Sequence, residues 1–218
     1  FVSSYRSEVT VKLLCLDPAE MVDSRLKLGR CTALFSATLS PPSYYKTVLG
    51  CDSPQEVTHS YALPSPFDPQ NLCLLICLQI NTRWAAREES LVPIARLLFA
   101  MVSAKSGNYL AYFPSYQYLQ MEAETFSKLY PEVELLLQSP EMDDSQREQF
   151  LRRFDNPHPD APLLAFAVLG GIYSEGVDLK GEKLLGSAII GTGLPKVGAQ
   201  QEILRDYYQE KNQMRYDF

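Results

Sequence analysis

A phosphate-cradling G-x-x-x-x-G-K-[ST] loop occurs nowhere in the 218 residues, nor does the acidic pair that holds magnesium beside one. Hydrolysis of a nucleoside triphosphate by that route is therefore excluded for these residues alone. Cationic excess is also missing. Lys and Arg number 20 against 26 Asp and Glu, a net charge of −6, whereas domains that coat nucleic acid through bulk attraction are basic, with a pI above about 9. Any contact with nucleic acid must be local, and the dispersed basic groups at Arg83/Arg87, Arg147/Arg152/Arg153 and Lys180/Lys183 read singly as solvated helix faces. Histidine is reduced to His59 and His158, both in proline-containing stretches where surface placement is expected rather than ligation. No apolar run reaches the roughly 18 residues that cross a bilayer, and residues 1–6 lack the apolar block of a signal peptide. A globular protein of the cytoplasm with no membrane partner is the expectation.

A disulfide framework is absent too. The five cysteines are odd in number and lie mostly inside apolar, strand-like runs, where a thiol acts as a small buried hydrophobe. Cys73 and Cys77 alternate with leucines in a strand pattern. That places them on one face about 13 Å apart, too far to share a metal ion.

What the chain does have is 46% hydrophobic residues and 11% aromatics, enough for a packed core. Residues 9–16 read as an apolar strand, Asp17-Pro18 as a helix start leading to about residue 28, residues 31–35 as a second buried strand, and Ser40-Pro41-Pro42 as the start of a short helix ending near Gly50. Residues 51–71 carry Pro54, Pro64, Pro66 and Pro69 among polar neighbours, the composition of a connector without its own core. The expected division is residues 1–65 and 66–218. Strands are then expected at 72–80, 108–113, 133–137, 163–169 and 187–191, with helices at 87–106, 115–130, 144–154 and 198–211. Strands separated by helices need crossover connections, so the expected fold class is three-layer α/β with a mostly parallel sheet. The start at Phe1 and the end directly after a helical stretch suggest an excised piece.

Three stretches carry candidate chemistry, all at the carboxyl ends of expected strands, where ligands bind in open parallel sheets. In Ser36-Ala37-Thr38 two hydroxyls flank a small residue before a helix start. They are suited to link a nucleotide-side group to a nucleic-acid-side group, or simply to satisfy backbone groups and cap the helix. Tyr112-Phe113-Pro114-Ser115-Tyr116 runs from strand to helix through a proline. Free N–H groups and the Ser115 hydroxyl there can seat a phosphate, and Tyr116 can stack on an unpaired base or pack in the core. The apolar run 166–169 ends in Gly170-Gly171 and leads through Ser174-Glu175-Gly176 to Asp178. Such a loop can approach a ligand closely, present Glu175 and Asp178 to a metal, or serve as a plain connection. Thr82-Arg83-Trp84 follows the expected strand at 72–80, with Arg83 a phosphate contact or a surface residue.

In order, S-A-T, F-P-S-Y and S-E-G-x-D resemble the third, fourth and fifth motifs of superfamily 2 helicases of the XPD/DinG type, with Cys15-Leu16-Asp17 upstream and Gly193-Leu194-Pro195 downstream in keeping. The resemblance spans about residues 11–211. It implies the end of a first motor domain and most of a second RecA-like motor domain in a parent that spends ATP, with magnesium, on moving along single-stranded DNA, 5′ to 3′ in such relatives. It also implies that Ser36, Ala37, Thr38, Gly176 and Asp178 sense nucleotide. Thr82, Arg83, Ser115, Tyr116, Ser174 and Glu175 would touch DNA. No catalytic residue and no metal ligand is implied within these residues. The sixth motif, Q-x-x-G-R-x-x-R, is absent, and cysteines for an iron–sulfur cluster would belong elsewhere in a parent. Implied partners are single-stranded DNA, an N-terminal motor lobe and, through unpaired strand edges at 9–16 and 31–35, a second copy of the piece. A non-catalytic α/β binding module and a small phosphotransferase or metal hydrolase using Glu175 and Asp178 stand as alternatives.

Overall fold

The computed structural model of the chain describes residues 2–5, 8–52, 57–156, 161–174, 177–194 and 198–212. In chain order these form strands β1 (Val2–Tyr5) and β2 (Glu8–Val11), helices α1 (Ala19–Leu26), α2 (Pro42–Val48) and α3 (Arg87–Ala104), and strand β3 (Asn108–Phe113). Helix α4 (Tyr116–Leu129), strand β4 (Glu134–Leu137), helix α5 (Asp144–Arg152), strands β5 (Leu163–Val168) and β6 (Gly186–Ile189) and helix α6 (Ala199–Asn212) follow. They fall into two units, one of residues 74–195 and one of residues 1–73 with 196–218.

The unit of residues 74–195 is built on a parallel sheet ordered β4-β5-β3-β6. Its two faces follow from the strand period of two. Tyr109, Ala111 and Phe113 of β3 and Leu164 and Phe166 of β5 bury against Ile94, Leu98 and Val102 of α3 and Tyr118, Leu119 and Phe126 of α4. The alternate residues Leu110, Ala165 and Ala167 bury on the other face with Phe150 of α5, Phe154 and Tyr173. A central sheet covered by helices on both sides is the three-layer α/β arrangement. Local signals set the helix starts. Ser115 is extended and its hydroxyl accepts from the Tyr118 N–H at the head of α4, while Asp143 and Gln146 make a reciprocal capping box for α5.

The amino edge of the sheet is closed by structural contacts. Buried Asn108 donates its amide to the carbonyls of Phe154 (3.1 Å) and Lys183 (3.0 Å), and Lys183 pairs with Asp155 at 2.8 Å. The carboxyl edge is left to carry a site.

In the other unit β1 and β2 pair antiparallel from Val2↔Val11 to Tyr5↔Glu8. The helix after Asp17-Pro18 starts at Ala19, whose N–H donates to the Asp17 carboxylate at 2.9 Å. Lys211 and Tyr207 of α6 also donate to that carboxylate. The Lys211 ammonium in particular holds the Asp17 carboxyl below its ordinary range.

Four expectations need correction. The strand expected over 9–16 ends at Val11, and residues 31–35 and 72–80 form no strand. Phe35 is 92% exposed, Leu72 73% and Leu78 85%. These runs have strand composition, but no strand lies beside them among the described residues to complete a ladder, and apolar sequence alone does not supply one. For the same reason the cysteines are not buried: Cys15, Cys31, Cys73 and Cys77 are exposed and Cys51 is half-buried.

Candidate nucleic-acid interface

All four parallel strands of the 74–195 unit deliver residues to its carboxyl edge. After β3 the chain turns at Pro114 into α4, and the Ser115 carbonyl accepts from the Leu119 N–H at 3.0 Å. Tyr116 stands at the first position of α4, half-buried, with its hydroxyl accepting from the side-chain amide of Gln138 at 2.9 Å. The helix thus presents its N-terminus and a tyrosine at the sheet edge, an arrangement suited to a phosphate and a neighbouring base.

After β5 the ladder persists for one residue, with the Leu169 N–H donating to the Phe113 carbonyl at 2.8 Å. The chain then folds back. Gly170 has φ +70°, and the Val168 carbonyl accepts from the Gly171 N–H and the Ser174 hydroxyl, each at 3.1 Å. Gly171 is required for space, since a Cβ there would stand 2.9 Å from the Val168 carbonyl oxygen. Tyr112 donates to the Tyr173 carbonyl, and the buried Tyr173 ring stacks on Phe150 at 4.3 Å. The turn is therefore held from both sides, and Ser115, Tyr116 and Ser174 share one edge.

At the far strand, Gly191 with φ +78° lets Thr82 approach, because a Cβ would meet the Thr82 hydroxyl at 3.1 Å. Arg83 is exposed and its N–H donates to the Asn81 side chain at 3.1 Å. Beyond it the Arg87 guanidinium lies between the rings of Trp84 (4.7 Å) and Tyr118 (4.8 Å).

Ser36, Ala37 and Thr38 belong to the other unit, in an exposed turn. The two hydroxyls are 3.1 Å apart, and the Ser36 oxygen also accepts from the Thr38 N–H at 3.2 Å. These contacts are the local backbone-satisfying role open to an S-A-T turn. Asp178 is exposed and pairs with Lys180 at 2.9 Å, which raises the Lys180 pKa. Glu175 and Gly176 lie outside the described residues, as does His158. Among the described residues no group of three His, Cys, Asp or Glu side chains is placed to hold a metal ion.

Sequence reasoning missed Gln138. It is 4% exposed, follows β4, and connects Tyr116 to β5. The available signal was a lone amide after three leucines at the carboxyl end of a strand, where ligand-side residues gather.

A four-stranded parallel sheet covered by helices, with a helix N-terminus and a glycine turn at its carboxyl edge, is the arrangement of a RecA-like lobe. The chain belongs to the family described as helicase C-terminal domain, which matches residues 98–218, more than half of its length. Similar curated proteins include the ATP-dependent DNA helicase CHL1 of Debaryomyces hansenii, 21% identical over 97% of this chain and 27% of that protein. CHL1 of Meyerozyma guilliermondii is 25% identical over 89% of this chain and 25% of its own length. The Schizosaccharomyces pombe chl1 helicase is 22% identical, with 87% and 24% covered. The chain thus spans about a quarter of the relatives it matches. No helix among the described residues is long and apolar enough to cross a membrane.

Proposed function

We propose that these residues are the C-terminal motor portion of an ATP-dependent DNA helicase, with the end of a first lobe in residues 1–65 and a second lobe in 66–218. The carboxyl edge of the four-stranded sheet grips single-stranded DNA, Arg83 and the α4 N-terminus meeting phosphates and Tyr116 meeting a base. The observation that carries this is the convergence of Ser115, Tyr116 and the 169–174 turn at one sheet edge. ATP and magnesium are then held chiefly by residues outside this chain, on an N-terminal lobe. Ser36, Ala37, Thr38, Gly176 and Asp178 sense the nucleotide, and Thr82, Ser174 and Glu175 join the DNA contacts. With a net charge of −6, the DNA contact is local rather than spread over the surface. Any iron–sulfur cluster would likewise be held elsewhere, the working compartment is the cytoplasm, and self-association of the piece would use the exposed apolar runs.

The test is an unwinding assay. The full-length protein should open a duplex bearing a single-stranded tail when given ATP, while the 218-residue chain neither hydrolyses ATP nor unwinds. DNA-stimulated ATP turnover by the 218-residue chain alone would contradict the assignment of the nucleotide site to another lobe.

A further inference from the structure

We propose that Gln138 is a positioning residue that couples the DNA-facing Tyr116 to the glycine turn at 169–174, so that a strand held at Tyr116 is registered at the end of β5. This rests on the helicase reading above.

The main chain of Gln138 is already fixed, since its N–H donates to the Phe166 carbonyl at 2.9 Å as the last step of the β4–β5 ladder. β4 ends there, leaving the next N–H of β5 that points toward it without a main-chain partner. The side chain supplies one: its carbonyl oxygen accepts from the Val168 N–H at 2.8 Å. Its amide nitrogen meanwhile donates to the Tyr116 hydroxyl at 2.9 Å. A single planar carboxamide, 4% exposed, is therefore engaged at both ends.

Its position gives the link consequence. Val168 is the residue whose carbonyl anchors the turn, accepting from Gly171 and Ser174. A Cβ on Gly171 would stand 3.4 Å from the Gln138 amide nitrogen, so the turn packs directly against the carboxamide. Tyr116 cannot shift or rotate without pulling the group that holds the base of the turn.

The test uses the full-length protein and its ATP hydrolysis with and without a single-stranded oligonucleotide. Gln138→Leu removes both bonds, Gln138→Asn is one methylene too short to span them, and Gln138→Glu accepts from both Val168 N–H and the Tyr116 hydroxyl. Gln138→Leu and Gln138→Asn should lower DNA-stimulated kcat about tenfold with DNA-free turnover unchanged, and Gln138→Glu should restore it. Combining Gln138→Leu with Tyr116→Phe should lower stimulation no further than Gln138→Leu alone, as expected for two ends of one link. The coupling is overturned if Gln138→Asn keeps full stimulation, if Gln138→Glu fails to restore it, if the double variant loses the product of the single losses, or if DNA-free turnover falls in step. Should the unaltered protein show no DNA stimulation, the helicase reading itself fails and the coupling with it.

Discussion

Tyr112 donates its phenolic hydroxyl to the backbone carbonyl of Tyr173 across 2.8 Å, so the inner strand β3 holds the turn that follows its neighbour β5. Burial raises the pKa of both phenols further above neutrality. The stacked Tyr173–Phe150 pair secures the turn from α5. Fixed geometry is what a loop needs if it is to report on a ligand at its edge.

Tyr112→Phe keeps the ring and deletes the donor. The cost should be about 1 kcal/mol, from the Tyr173 carbonyl left without its partner. Urea unfolding followed by circular dichroism measures it, and the denaturant slope should stay unchanged.

Two glycine substitutions separate space from backbone strain. At Gly171 a methyl meets the Val168 carbonyl at 2.9 Å, whereas at Gly181, with φ +62°, nothing among the described residues lies within 4 Å. Gly171→Ala should cost about 1–3 kcal/mol and disturb the Gln138 contacts, visible as a shift of the Gln138 side-chain amide resonances. Gly181→Ala should cost only about 1 kcal/mol, from its left-handed backbone, and leave those resonances in place.

Glu122 of α4 is fully buried and neither carboxylate oxygen has a partner among the described residues, so burial pushes its pKa from 4.5 up to about 8. Between those values the unfolded chain releases the proton while the folded chain keeps it, so stability falls as pH rises, by up to about 1.4 kcal/mol per pH step from this group. Glu122→Leu should remove this slope. Thermal unfolding at pH 5 and pH 8 checks it: the variant should gain more over the unaltered chain at pH 8.

Much of the 74–195 unit was legible in the sequence because each element there carries both a period and a partner. Residues 108–113 and 163–168 alternate between two covered faces, and Ser115 and Asp143 mark their helices. Residues 31–35 and 72–80 have equal apolar character, yet they remain outside any sheet. Composition specifies what a strand would bury, while pairing depends on a neighbour that periodicity cannot see. The site was legible where glycine and proline mark strand ends. Gln138 was not, because a buried link between two loops leaves no spacing pattern in one chain.

The most direct test of the proposed DNA-gripping edge is single-stranded oligonucleotide binding by the full-length protein, followed by fluorescence anisotropy over a range of salt. The account predicts that Tyr116→Ala weakens binding by about 1–3 kcal/mol, and that Arg83→Ala reduces the slope of log K against log salt by about 0.7. Affinity and salt slope unchanged in both variants would contradict it.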